Sequence, residues 1–148
     1  MRIIALLILI SLFTLTACAP KPCAEWTLAE LCRVHPITGQ IYSSLNSEYD
    51  PGHIDGQMLK SLYGTEEYPV REFALLFYGR VDTVREIGVF IIGSGDEVIR
   101  VSEMASERIN FLSTFSKGEG FIRKYRGALV YGFVEDAAYT EEILDSIL

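Results

Sequence analysis

The sequence predicts a small α+β domain, in which a three-stranded, mainly antiparallel sheet has helices packed on one face and follows an N-terminal helical region. Short runs rich in β-branched and aromatic residues lie at 73–78, 87–92 and 127–134, each beside a glycine, as is typical of buried strands. Between the second and third runs, residues 94–115 carry apolar side chains at helical spacing. The 148 residues contain no repeat and no low-complexity tract, which indicates one domain.

A short helix is predicted first, at the start of the domain. Thr27 is the expected N-cap and Glu30 completes a capping box, because a hydroxyl and a carboxylate at this spacing satisfy free backbone N–H groups. His35 and Pro36 should end this helix, since a proline disfavours helical backbone in the residue before it. Residues 36–53 are rich in Ser, Gly, Pro, Asn and Asp, and we expect a loop there.

Three further helices complete the prediction. Asp55 should cap a helix over 56–63, which Gly64 ends in the left-handed conformation. The long helix follows at 94–115, and Asp136 should open the last helix, which runs to the C-terminus. The long helix has an apolar face of Val98, Val101, Ala105, Ile109 and Leu112, and a polar face of Arg100, Glu103, Glu107 and Arg108. A helical crossover should return the strand at 127–134 beside the strand at 73–78.

The first residues have the pattern of an export signal. Met1-Arg2 supplies a positive charge, an apolar run follows, and small residues lead to Cys18. The run is shorter than the ~20 residues that a transmembrane helix needs. The segment "LTAC" resembles the lipobox of bacterial lipoproteins, which implies cleavage between Ala17 and Cys18 and a diacylglycerol on the Cys18 thiol. The alternative is an ordinary signal peptide with an incidental cysteine.

Three segments follow from this interpretation: a signal peptide at 1–17, a lipidated leash at 18–26 and one globular domain at 27–148. The chain has 13 Lys and Arg against 20 Asp and Glu, and removal of residues 1–17 removes only Arg2, so the mature net charge is 12 − 20 = −8. A domain with this charge repels phosphate backbones, so we expect no nucleic-acid partner. We expect a monomer held at the membrane by its lipid.

Two cysteines remain after lipidation, Cys23 and Cys32, and an even pair in an exported protein permits a disulfide. One continuous helix through both would separate them by ~13.5 Å and prevent a bridge. A disulfide therefore requires a break before Trp26. The alternative is two reduced thiols, with Cys32 packed as a small apolar residue.

Motifs for catalysis are sparse. "GSGDE" at 93–97 lacks the third glycine and the lysine of a phosphate loop, so a turn with a helix N-cap is the better interpretation. Glu103 and Glu107 share a helix face, where carboxylates are usually solvated. The alternative function is a metal-dependent or hydrolytic enzyme that uses Asp50, His53 and Asp55 of "YDPGHID". We expect that the protein is not an enzyme, and that it has no metal site and no cofactor apart from the covalent diacylglycerol.

Several motifs resemble a family of bacterial lipoproteins, chiefly from anaerobic Gram-positive bacteria, whose globular part is a domain of unknown function. The matching segments are "DGQMLKSLYG" at 55–64, "REIGVFIIG" at 85–93, "DEVIRVSEMASERI" at 96–109, "GALVYGFVED" at 127–136 and "EEILDSIL" at 141–148. The resemblance brings no catalytic residue. It implies an exported protein, lipid-anchored outside the cytoplasm.

We therefore expect a binding or interaction module at the cell envelope. Its partner would be another envelope protein or a small ligand. Four tyrosines in the first half of the chain exceed the needs of the core and are candidates for a contact patch: Tyr42, Tyr49, Tyr63 and Tyr68.

Overall fold

The computed structural model describes residues 23–80 and 83–148, which form four helices and five strands. The signal peptide, Ala17, Cys18 and most of the leash lie outside these residues. In chain order the elements are α1 (Ala24–Val34), β1 (Gly39–Ser43), α2 (Gly56–Tyr63), β2 (Glu72–Arg80), β3 (Thr83–Ile91), α3 (Gly95–Ser113), β4 (Glu119–Tyr125), β5 (Ala128–Val134) and α4 (Ala137–Ile147).

The fold is α+β, as predicted, but the sheet has five strands rather than three. All neighbouring strands are antiparallel, in the order β1-β2-β3-β5-β4. The three predicted strands are β2, β3 and β5, which form the centre of the sheet. The two missed strands, β1 and β4, are its edges. Their side chains are largely exposed or half-buried, so they lack the continuous apolar run that identifies a central strand.

The predicted position of the third apolar strand is wrong. β5 pairs with β3, with Val89 opposite Val130, and not with β2. The missed strand β4 explains the difference: α3 carries the chain back so that β4 runs parallel to β3, and β5 then returns antiparallel between them. The turn from β4 to β5 uses Gly127 at φ 79°, a backbone conformation that favours glycine.

Helices cover both faces of the sheet, so the prediction of helices on one face is also wrong. Successive strand residues point to opposite faces, and in β2 both sets are apolar and buried, which requires cover on each side. On one face, α1 and α4 pack against the sheet through Leu28, Leu31, Ile143, Leu144, Ala74, Leu76, Val89 and Val130. On the other face, α2 and α3 do so through Leu59, Val101, Ala105, Phe73, Leu75, Phe90 and Leu129.

The start of α1 differs from the predicted one. The helix begins at Ala24, so residues 24–26, expected in the leash, form its first turn. Thr27 is buried inside the helix and donates its hydroxyl hydrogen to the Cys23 carbonyl at 2.9 Å, so the predicted N-cap at Thr27 is wrong. Glu30 pairs with Arg33 instead of completing a capping box. A carboxylate from the sheet binds the helix start, because Glu72 Oε1 accepts from the Ala24 N–H at 3.0 Å.

The other helix boundaries agree well with the sequence. Asp55 caps α2, Gly64 ends it at φ 73°, and Asp136 caps α4. α3 begins after Ser94, although it ends at Ser113, earlier than predicted. His35 follows the last residue of α1, as the His35-Pro36 pair predicted.

Candidate functional site

A charged pair is buried between the sheet and α3. Glu86 of β3 is fully buried, and the Arg108 side chain is 9% exposed. Arg108 Nε donates to Glu86 Oε1 and Oε2 at 3.1 and 3.0 Å, and its Nη2 donates to Oε2 at 2.7 Å. This forked contact is the geometry in which a guanidinium and a carboxylate bind most strongly.

Two tyrosines extend this pair towards the surface. The Tyr131 hydroxyl of β5 donates to Glu86 Oε1. Its oxygen lies 2.5 Å from the Tyr63 hydroxyl oxygen, and since the Tyr131 proton is directed at Glu86, Tyr63 must be the donor in this second bond. The four side chains form one continuous network, which we call the Glu86 network.

The Glu86 network holds its phenols in the neutral form. Burial, reinforced by the charge of Glu86, raises the pKa of both Tyr63 and Tyr131 well above the ordinary tyrosine value. Burial alone would lower the pKa of Arg108, but its hydrogen bonds to Glu86 and the charge of that carboxylate raise it. Glu86 and Tyr131 are fully enclosed, whereas Tyr63 is only partly buried and is the member of the network nearest the surface.

Tyr63 links the Glu86 network to a surface cavity of about 260 Å³ between α3 and the chain that connects α2 to β2. We call it the α3 cavity. α2 contributes its last residue, Tyr63, the connection contributes Thr65, Glu67, Tyr68 and Pro69, and α3 contributes Arg100, Glu103, Met104 and Glu107.

Hydrogen bonds hold the wall of the α3 cavity in place. The Tyr68 hydroxyl donates to the Ile54 carbonyl at 2.5 Å, which ties the connection to the chain before α2. Arg100 Nη2 donates to the Pro69 carbonyl at 2.5 Å, which ties it to α3. The Tyr68 ring packs beside Phe73 of the core, with ring centroids 5.7 Å apart. The two tyrosines of the cavity are therefore held by different partners: Tyr63 by Tyr131 of the Glu86 network, and Tyr68 by the Ile54 carbonyl.

The charges around the α3 cavity are unbalanced. Three carboxylates, Glu67, Glu103 and Glu107, face one guanidinium, that of Arg100, which gives −3 + 1 = −2 when all are ionised. Within residues 23–80 and 83–148, none of these carboxylates forms an ion pair within 4.0 Å. An anionic pocket with two tyrosine rings and a methionine suits a small organic cation, because rings attract cations through their faces and carboxylates attract them by charge.

The residues of the enzyme hypothesis serve local turns. Asp50 accepts from the Ser47 N–H at 3.1 Å, His53 Nδ1 lies 2.9 Å from the Asn46 carbonyl, and Asp55 caps α2. In the part of the chain that the structure describes, no three His, Cys, Asp or Glu side chains are grouped as metal ligands would be. Asp50, His53 and Asp55 are thus not brought together as a metal corner.

The "GSGDE" segment is a helix cap, which confirms the prediction of a turn with an N-cap. Ser94 Oγ accepts from the Glu97 N–H at 3.3 Å, and Glu97 Oε2 accepts from the N–H groups of Ser94 and Gly93 at 3.0 and 2.5 Å. The carboxylate therefore occupies the backbone donors that a phosphate would need.

Cys23 and Cys32 are both free thiols. The break before Trp26 that a disulfide required is absent, because α1 runs without interruption from Ala24. The backbone rises ~12 Å along the axis over the eight helical steps from Ala24 to Cys32, which exceeds the Cα separation that a disulfide allows. Burial raises the pKa of the Cys32 thiol, as expected for a cysteine packed as a small apolar residue.

The four tyrosines proposed as a contact patch do not form one surface. Tyr42 packs against Phe77 of β2, and Tyr49 is 88% exposed in the loop before α2. Only Tyr63 and Tyr68 meet, and they do so in the α3 cavity. Glu103 and Glu107 are exposed, as predicted for solvated carboxylates, and they also line this cavity.

No pattern in the sequence predicts the Glu86 network directly. Arg108 was placed on the polar face of the long helix, although it is buried against Glu86. One signal was available: Glu86 is a charged residue inside a strand that the structure buries on both faces, and such a residue requires a buried partner.

Comparisons with known proteins identify no relative. No protein-family model matches the chain, and neither the curated proteins nor the solved structures include a significant match. The resemblance to bacterial lipoproteins therefore stays a prediction from the motifs. Among the described residues, no helix combines the length and the apolar character needed to cross a bilayer.

Proposed function

We propose that this protein is an exported lipoprotein, anchored at the outer face of the cytoplasmic membrane by a diacylglycerol on Cys18, and that its domain is a binding module. The observation that carries the binding proposal is the α3 cavity, which two tyrosines and three carboxylates line together. The "LTAC" segment supports the anchor, and α1 begins only six residues after Cys18.

The ligand that fits the α3 cavity is a small organic cation. Tyr63, Tyr68 and Met104 provide apolar and aromatic contacts, and Glu103 and Glu107 provide negative charge one helical turn apart. A volume of about 260 Å³ lies just below the range of drug-sized sites, so the ligand is no larger than an alkylamine or the side chain of one basic residue.

Calorimetric titration with n-butylammonium chloride tests this binding proposal. A charge pair at ~4 Å in a water-like environment is worth ~1 kcal/mol, so Glu103→Gln and Glu107→Gln should each weaken binding about fivefold. Glu142→Gln is the matched control, because Glu142 is exposed on α4, on the opposite face of the sheet. Equal affinity of the cavity variants and wild type, or equal binding of uncharged n-butanol, would contradict the proposal.

The anchor is tested separately by Cys18→Ser. The thiol is the group that takes the lipid, and a serine hydroxyl is far less acidic and does not replace it. We expect the variant to lose metabolic labelling by a fatty acid and either to stay uncleaved or to escape into the medium. A Cys18→Ser protein that still fractionates with membranes after removal of the signal would refute the lipid anchor.

A further inference from the structure

Trp26 is the single tryptophan of the chain, and half of it lies open to solvent. It occupies the first turn of α1 and is 51% exposed. The buried residues of this helix, Ala24, Thr27, Leu28 and Leu31, share one side. At 100° per residue, Trp26 stands about 200° from Ala24, which directs it away from the sheet. The core therefore covers only about half of this residue.

The sequence places Trp26 close to the proposed lipid. Cys18 precedes Cys23 by five residues, which span at most ~18 Å even when fully extended. α1 rises ~1.5 Å per residue, so the backbone of Trp26 lies only ~4.5 Å further along than that of Cys23. Together these lengths keep the Trp26 backbone within ~23 Å of Cys18, and therefore close to the membrane surface in which the acyl chains are buried.

A second exposed apolar residue lies at this end of the domain. Leu45 is 58% exposed and lines a groove together with Glu72, the residue that binds the first N–H of α1. At the opposite end of the sheet, Arg80 of β2 pairs with Thr83 of β3, and Ser116 Oγ donates to the carbonyl of the neighbouring Val84 at 3.4 Å. Phe111 is also exposed, by 56%, and its ring lies 5.1 Å from that of Phe115, the residue before Ser116, so it belongs to that distal end.

We propose that Trp26 inserts its indole ring among the lipid headgroups of the membrane that anchors the protein, and so fixes the orientation of the domain. The inference rests on the proposed lipid anchor. Tryptophan favours the membrane–water interface, where its ring is half desolvated and its N–H group keeps a polar partner. Because the tether makes this contact intramolecular, with an effective concentration in the millimolar range, a single ring is sufficient.

The contact is apolar rather than electrostatic. The mature chain carries −8, and Glu25 lies next to Trp26 in the first turn of α1, so anionic headgroups repel this surface. Insertion of the indole should therefore occur in zwitterionic phosphatidylcholine and should be insensitive to salt, unlike the binding of a basic surface.

Tryptophan fluorescence tests the inference directly, because all emission excited at 295 nm comes from Trp26. The lipidated full-length mature protein is reconstituted in vesicles of phosphatidylcholine with or without brominated acyl chains. We expect the emission maximum to shift to shorter wavelength relative to the Cys18→Ser protein mixed with the same vesicles. We also expect brominated lipid to quench the emission of the lipidated protein and not that of Cys18→Ser.

The matched control moves the reporter to the distal end. The double variant Trp26→Phe, Phe111→Trp carries one exposed tryptophan far from the tether, and brominated lipid should leave its emission unchanged. Equal quenching of both reporters would overturn the inference. Mass spectrometry of the N-terminal peptide separates the two proposals: an unmodified Cys18 refutes the anchor, whereas a lipidated protein whose Trp26 is neither shifted nor quenched refutes the membrane contact alone.

Discussion

Replacement of Glu86 by glutamine tests whether the buried ion pair holds α3 on the sheet. Glutamine preserves the shape of the side chain but removes its charge. Arg108 is then left charged at a site where only 9% of its side chain reaches solvent. The new amide group also points N–H donors at Arg108 and Tyr131, which are themselves donors.

The expected loss is large compared with the stability of a small domain. Removal of one partner of a buried ion pair costs ~3–5 kcal/mol, because the other charge remains desolvated. The free energy of unfolding of a small domain is only ~5–15 kcal/mol, so Glu86→Gln should bring the domain close to unfolding. At ~4 °C per kcal/mol, Tm should fall by ~12–20 °C.

Urea unfolding followed by circular dichroism measures this loss, and a double-mutant cycle identifies its source. Arg108→Met should be similarly destabilising alone, whereas Glu86→Gln with Arg108→Met removes both charges and should cost at least ~2 kcal/mol less than the sum of the single variants. The control is Glu30→Gln, which breaks an exposed pair with Arg33 and should not change the midpoint measurably. Additive costs of the two core variants would show that the ion pair is not the cause.

Three further predictions follow from the packing, the tyrosines and the helix caps. Gly88→Ala should cost ~1–3 kcal/mol, because the new Cβ would collide with Tyr131 and lie 2.9 Å from Phe90, whereas Gly95→Ala meets no atom within 4 Å and should be near neutral in urea unfolding. Unfolding free energy should begin to fall as pH rises above about 9, because burial raises the pKa of the Cys32 thiol, and should fall further above about pH 10. The pKa of Tyr78 is raised to about 12 and those of Tyr63 and Tyr131 lie well above 10, so the unfolded chain releases protons first; urea midpoints that stay flat from pH 9 to 11 would contradict this. Ser94→Ala should lose ~1 kcal/mol, since it removes one half of the capping box of α3, and an unchanged Tm would refute that role.

Local chemistry explains which elements the sequence predicts well. Asp55 and Asp136 were identified as caps because a side-chain acceptor next to a helix start acts within three residues. The central strands were identified because both of their faces are apolar. A strand that is apolar on both faces also requires cover on both faces of the sheet. Helices on one face alone, as predicted, could not provide it.

The missed features depend on residues far apart in the chain. β4 reads EGFIRKY, in which apolar and charged residues do not alternate, and its pairing with β5 makes it a strand. Glu86 and Arg108 lie 22 positions apart on different elements, so neither position alone predicts the other. The α3 cavity likewise requires the chain after Gly64 to fold against α3, which no local pattern of Thr65, Glu67 or Tyr68 specifies.

The two edge strands have a consequence for many copies crowded side by side on one surface. Head-to-tail addition of the β4 edge of one copy to the β1 edge of the next would not close and would grow into a filament. β1 has only five residues, so each junction would have at most five residue pairs. β4 exposes Arg123 and Lys124, and charged side chains on an edge oppose pairing with another strand. The short β1 edge and the charged β4 edge therefore both disfavour such a filament.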